Sequence, residues 1–212
     1  MTSLPWTPDA RGVAAAAGAV LAGGVIGFPT DTVYGLACLA ERSTGVADLY
    51  QIKGRPRTYA LIVMAASVEA LSRFVLWDDR ARSLAAKFWP GPLTLVLPAR
   101  GAGYELGRDG TLGVRIPDHP VALALLGQSA PLATTSANRH GRPPVPDAAA
   151  ALAQLPGLVG ALAEVVTGRG STEPSSILDL TRDQPVLIRE GRLSARELGV
   201  PAPEQNPEIR RD

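Results

Sequence analysis

One cysteine, two histidines and an aromatic content of only 5% in 212 residues remove several classes of explanation at once. A single thiol, Cys38, excludes an internal disulfide framework and a multi-cysteine metal cluster, and its apolar surroundings fit a buried structural thiol. His119 and His140 stand in separate loops without a partner cluster, so no zinc motif is present. Charge of one sign is lacking too: 21 Lys plus Arg face 20 Asp plus Glu, a net charge of +1. No global basic field marks a nucleic-acid footprint, and any anion binding has to be local. Strongly apolar runs of about 18 residues are missing, which argues against a membrane span. The N-terminus lacks a basic region ahead of its Ala/Gly-rich segment, which argues against a signal peptide and leaves a reducing cytoplasm as the expected location.

The common catalytic signatures are missing as well. There is no Gly-x-x-x-x-Gly-Lys-Ser/Thr loop, no Gly-x-Gly-x-x-Gly turn and no His-Glu-x-x-His pair. Ser136 has no His and carboxylate partners in its sequence context, so a nucleophilic triad is poorly supported. Positioning and charge stabilisation are the chemistry that is left.

What is present describes a globular protein, with 46% apolar and 19% charged residues. The length fits one substantial core, read as a single domain over residues 1–200 with a Pro- and charge-rich tail, 201–212, that frays. Thr7-Pro8-Asp9 predicts a helix start, and Gly23-Gly24 its end. The apolar run Val25 to Pro29 predicts a strand, followed by the Thr30-Asp31-Thr32 loop and an apolar segment from Val33 to Leu39. Spacing of Val46, Leu49, Tyr50 and Ile52 predicts a helix ending at Lys53, with Gly54 as its stop. Strands are predicted over 60–64, 93–97, 111–116, 132–135, 162–166, 176–180 and 186–188. Helices are predicted from Ser67, from Asp78-Asp79, from Asp118 with Pro120, and from Asp147. The strand count exceeds that of a simple alternating crossover pattern, so the fold class is α+β, a twisted mixed β-sheet flanked by helices.

Several strand ends carry hydroxyls or fixed cations: Thr32 and Tyr34, Thr111 and Arg115, Thr134 with Ser136 and Asn138, Ser175 and Ser176, Arg189 and Arg192. Gathered on one side of a sheet they would line a cleft suited to phosphate and carboxylate groups. Taken alone, the Thr-Asp-Thr loop reads as turn chemistry and Lys53 as a cation complementing a helix C-terminus.

Six ordered blocks go further than spacing. They are Phe-Pro-Thr-Asp-Thr-Val-Tyr-Gly-Leu at 28–36, Lys-Gly-Arg-Pro at 53–56, Trp-Pro-Gly-Pro-Leu-Thr-Leu-Val-Leu-Pro at 89–98, Gly-Val-Arg-Ile-Pro-Asp-His-Pro at 113–120, Ser-Ala-Asn at 136–138 and Ile-Arg-Glu-Gly at 188–191. Together they resemble the YrdC-like family of threonylcarbamoyl-AMP synthases, in its short, single-domain type, over roughly residues 10–195. The resemblance implies a YrdC-like fold with an open concave site. It also implies condensation of L-threonine, bicarbonate and ATP to threonylcarbamoyl-AMP and pyrophosphate, for N6-threonylcarbamoyladenosine in tRNA. By motif position it assigns Thr32, Arg115, Thr134 and Ser175 to threonine. Lys53, Arg55, Thr111, Ser136, Asn138 and Arg189 are assigned to ATP, with Lys53 and Arg55 as the catalytic cations and Tyr34 in support. A Mg²⁺ held mainly by the ATP phosphates, hand-over to a tRNA threonylcarbamoyltransferase complex and weak RNA binding are further implications. Tyr59-Ala60, Met64, Arg139-His140 and Pro144 depart from the usual family pattern. The alternatives are an RNA-binding module built on the Lys53, Arg55 and Arg57 cluster with Arg139 and Arg142, without ATP turnover, and a carbamoyl-transfer domain with another acceptor.

Overall fold

The computed structural model describes residues 5–163 and 173–202. The first helix, α1 (Ala10–Leu21), begins two residues later than Thr7-Pro8 predicts, because the Asp9 carboxylate accepts from the Gly12 amide at 2.9 Å and makes Asp9 the cap. Strands β1 (Ile26–Phe28) and β2 (Gly35–Leu39) flank the Thr-Asp-Thr loop, and α2 (Ser43–Lys53) ends at Gly54 with φ of +63°, a left-handed conformation that glycine adopts without strain. Then follow β3 (Ile62–Met64), α3 (Val68–Leu71) capped by Ser67, α4 (Asp79–Phe88) capped by Asp78, and β4 (Leu93–Pro98). A short helix, α5 (Gly103–Leu106), interrupts the glycine-rich connection to β5 (Thr111–Arg115). In α6 (Pro120–Gln128) the N-cap is His119, which makes no side-chain cap bond, and not Asp118.

The chain continues through β6 (Leu132–Ser136), α7 (Ala148–Gln154) capped by Asp147, β7 (Gly160–Ala161), β8 (Ser176–Asp179), β9 (Val186–Arg189) and α8 (Ala195–Leu198). The strand predicted over 162–166 is displaced: pairing occurs at Gly160–Ala161, and Leu162 bridges to Trp6. Its remainder from residue 164, like the tail from residue 203, lies outside the described residues.

The strands form one mixed sheet in the order β7-β1-β2-β6-β3-β5-β4-β8-β9. The two faces of that sheet are dressed differently, and this creates the site. One face buries Leu36, Cys38, Val63, Leu93, Leu95, Leu112 and Val114 in a continuous core with residues of α2, α3, α4, α5 and α7. On the other face, Val13, Ala16, Ala17 and Val20 of α1 and Ala122, Leu125 and Leu126 of α6 cover Ile26, Phe28, Ala37 and Leu132. That cover takes in β1, β2 and Leu132 of β6 and touches β3 at Ile62 and Met64; the rest of that face is the uncovered half. Alternation along each strand then sends Thr111, Gly113 and Arg115, Thr94 and Val96, and Thr134 and Ser136 to the uncovered half, opposite the core-facing residues.

Candidate active site

A cavity of about 1050 Å³ fills the uncovered half of the sheet. Registry sets its floor: Gly113 lies between Ile62 of β3 and Val96 of β4, Met64 is opposite Arg115, and Ser136 is opposite Gly35. Gly113 leaves the centre of that floor free of a side chain. Nine of the eleven sequence-predicted residues line the cavity: Thr32, Arg55, Thr111, Arg115, Thr134, Ser136, Asn138, Ser175 and Arg189. Arg108, which sequence reasoning missed, lines it too, as does Arg142, which the sequence offered only to the RNA-binding alternative. Among the described residues the lining thus holds five arginines and no acidic residue, with Arg115 itself paired to Asp31. Such a wall attracts anions.

The Thr-Asp-Thr loop is held from within. The Thr30 hydroxyl donates to the Val33 carbonyl at 2.7 Å and accepts from the Thr32 amide at 3.2 Å, a local turn that fixes Thr32. Arg115 is 2% exposed and donates from Nε to the Gly91 carbonyl at 2.9 Å, from Nη1 to Thr32 Oγ1 at 2.9 Å and from Nη2 to Asp31 Oδ1 at 2.5 Å. Burial pushes its pKa down, and Asp31 opposes that shift. Arg192 secures the same loop from the far side by donating to the Asp31 carbonyl at 2.5 Å.

Arg189 donates from Nε to the Ser175 carbonyl at 3.1 Å and from Nη2 to Ser175 Oγ at 3.4 Å, while Ser175 and Thr94 hydroxyls meet at 2.9 Å. Burial, then the charge of Arg115, lower the Arg189 pKa to about 10. The guanidinium stays charged at neutral pH and its hydrogen bonds run to Ser175. Arg55 rests at 4.9 Å over the Tyr59 ring and donates to Thr135 Oγ1 at 3.1 Å. The Thr134 hydroxyl donates to the Ile62 carbonyl at 2.9 Å and Thr111 to the Arg108 carbonyl at 2.9 Å.

Two predicted residues are not in the wall. Tyr34 is 1% exposed and its hydroxyl donates to the Leu162 carbonyl at 2.7 Å, so it supports the loop from behind. Lys53 is 1% exposed as well, its ammonium turned into the Ser136-Ala137-Asn138 segment and not toward the cavity. The sequence places Lys53 two residues before Arg55, but the helix stop at Gly54 separates the directions of the two side chains.

Fold and wall together define a small-molecule site for anionic ligands, built on one open half of a mixed sheet. The chain belongs to the Sua5/YciO/YrdC family, whose model, described as telomere recombination, matches residues 19–191. A Mycobacterium tuberculosis (strain ATCC 25618 / H37Rv) protein is 40% identical over 202 residues, 91% of each chain, and is named provisionally as a threonylcarbamoyl-AMP synthase. The threonylcarbamoyl-AMP synthase of Marinobacter nauticus is 36% identical over 187 residues, 84% of this chain and 96% of that protein. The structure of P. abyssi Sua5 complexed with L-threonine superposes with a TM-score of 0.82 at 35% identity, covering 90% of this chain and 57% of the longer Sua5 chain.

Proposed function

We propose that this chain condenses L-threonine, bicarbonate and ATP to threonylcarbamoyl-AMP, pyrophosphate and water, the activated product serving tRNA threonylcarbamoylation. The observation that carries the reading is the wall of five arginines, without an acidic lining residue among those described, in which Arg115 holds Thr32 and Arg189 holds Ser175. Relatives bearing the synthase name and the threonine-bound Sua5 support it.

Two anions, an amino-acid carboxylate and a triphosphate, have to share the cavity, and fixed cations offset their repulsion. In this reading Thr32, Arg115, Thr134 and Ser175 take the amino acid, while Arg55, Thr111, Ser136 and Arg189 face the nucleotide. The amine adds to bicarbonate with loss of water to form a carbamate. A carbamate oxygen then attacks the α-phosphorus, and the bond to pyrophosphate breaks. Arg55 and Arg189 neutralise charge that shifts onto the leaving oxygens, and the walls hold the two reactants in line. Among the described residues the lining brings hydroxyls and an amide but no carboxylate, a donor set that fits Mg²⁺ as an ion carried by the phosphates.

Calorimetric titration with L-threonine and ATP, separately and together, tests the reading. Each should bind, and pre-saturation with one should leave the other's site open; a protein that binds neither contradicts it. Among the described residues no helix is long and apolar enough to cross a membrane. For the RNA-binding reading, Arg57, Arg139 and Arg142 are exposed, but burial of Lys53 removes that residue from the cluster on which the reading rests.

A further inference from the structure

We propose that Lys53 and Asn138 are positioning residues that act through Ser136, and that neither touches substrate. The inference rests on the cavity being the substrate site, and it reassigns two residues that motif position places on the nucleotide.

The case is one of hydrogen-bonding capacity. The Lys53 ammonium, at the end of α2, shares its three N–H donors among four oxygens, the Ser136 carbonyl at 2.9 Å, Ser136 Oγ at 3.2 Å, the Asn138 carbonyl at 3.3 Å and Asn138 Oδ1 at 2.6 Å. An ammonium has donors only, so the amide of Asn138 has to present its oxygen there, which fixes its orientation. That oxygen also accepts the Ser136 hydroxyl at 2.6 Å. The other end, Nδ2, donates to the Arg139 carbonyl at 3.0 Å and the Arg142 carbonyl at 2.6 Å. Two donors and two acceptor positions are all an amide has, so Asn138 stands in the cavity wall with no polar valence to spare.

Ser136 is left in a defined state. Asn138 Oδ1 can only accept, so the hydroxyl proton lies on that bond, and Lys53 occupies one of the two lone pairs. The remaining lone pair is what the segment offers the cavity, so Ser136 takes a hydrogen-bond donor or a cation from the ligand. The backbone completes the clamp: the Ala137 amide donates to the Tyr34 carbonyl at 2.8 Å and the His140 amide to the Lys53 carbonyl at 2.9 Å. Lys53 thereby ties the C-terminus of α2 to the loop that follows β6.

Amide hydrogen exchange on the unliganded protein, combined with steady-state kinetics, tests the assignment. In Lys53→Met the amides of Asn138, His140 and Arg142 should exchange at least about tenfold faster while core strands keep their protection. kcat/KM for ATP should fall by about tenfold or more, the KM for threonine staying within about twofold. Combining Lys53→Met with Ser136→Ala should cost no more than the worse single variant, as expected when one residue acts through the other. Should Lys53→Met not fold, Asn138→Ala is read in the same way, with the same loosened loop and the same non-additivity. Unchanged exchange with lost ATP turnover, or losses that add, would place Lys53 on the substrate and overturn the proposal. The exchange arm needs no ligand, so a wild-type protein that fails to bind ATP sinks the synthase reading alone.

Discussion

Asp31 and Arg115 form a buried ion pair, Oδ1 to Nη2 at 2.5 Å, with side chains 10% and 2% exposed. The guanidinium that accepts this countercharge also holds Thr32 and the Gly91 carbonyl. One side chain thus joins the Thr-Asp-Thr loop to the turn before β4. Asp31→Ala should leave the cation buried without this carboxylate and destabilise the fold by about 3 kcal/mol. Urea unfolding measures the loss, and the KM for threonine should rise with it as Thr32 is freed. A change in stability below about 0.5 kcal/mol would show that Asp31 is dispensable to the pair.

Arg189 carries a cost that function explains. Its pKa falls to about 10 because burial and Arg115 both disfavour the charged form. The unfolded chain keeps its proton to the ordinary guanidinium value and the folded chain releases it near 10. Stability from this group therefore rises between those limits, and below about pH 10 the full penalty is present. Arg189→Met should raise stability at pH 7 by on the order of 1 kcal/mol while abolishing turnover. Thermal unfolding of both proteins decides it; a large loss of stability would make Arg189 a structural residue.

Arg55 is the opposite case, a half-buried loop cation that donates to Thr135 and lies over the Tyr59 ring. Arg55→Ala should change stability by less than about 1 kcal/mol and remove most of kcat/KM for ATP. If the variant unfolds, Arg55 holds the fold and is not a catalytic cation.

Gly91 has no room for a side chain, because a methyl group there would fall inside the van der Waals radius of the Phe88 carbonyl. Gly91→Ala should shift the carbonyl that anchors Arg115 Nε and cost about 2 kcal/mol, with a higher KM for threonine. An unchanged KM in a folded variant would separate the turn from the site.

Much of the fold is legible in the sequence where a local rule is strong. Ser67, Asp78 and Asp147 each cap the helix they precede, and Gly54 ends α2 in the left-handed conformation. Thr7 and Asp118 are misleading because a competing residue, Asp9 or His119, occupies the cap. The Ser194-x-x-Glu197 capping box of α8 is present in the sequence, but Pro-rich neighbours mask so short a helix. The site is legible in residue types at strand ends, but its convergence is not. Thr111-Leu112-Gly113-Val114-Arg115 divides between cavity and core only once β3 and β4 set its faces. Arg108 and Arg142 join the wall through loop geometry that no local pattern encodes. Lys53 shows the converse, a motif residue whose side chain the helix end directs away from the cavity.

Pyrophosphate release by the purified protein tests the central claim most directly. With ATP present, release should require both L-threonine and bicarbonate, and omission of either should reduce it to background. Release that proceeds equally without threonine or without bicarbonate would contradict the synthase account.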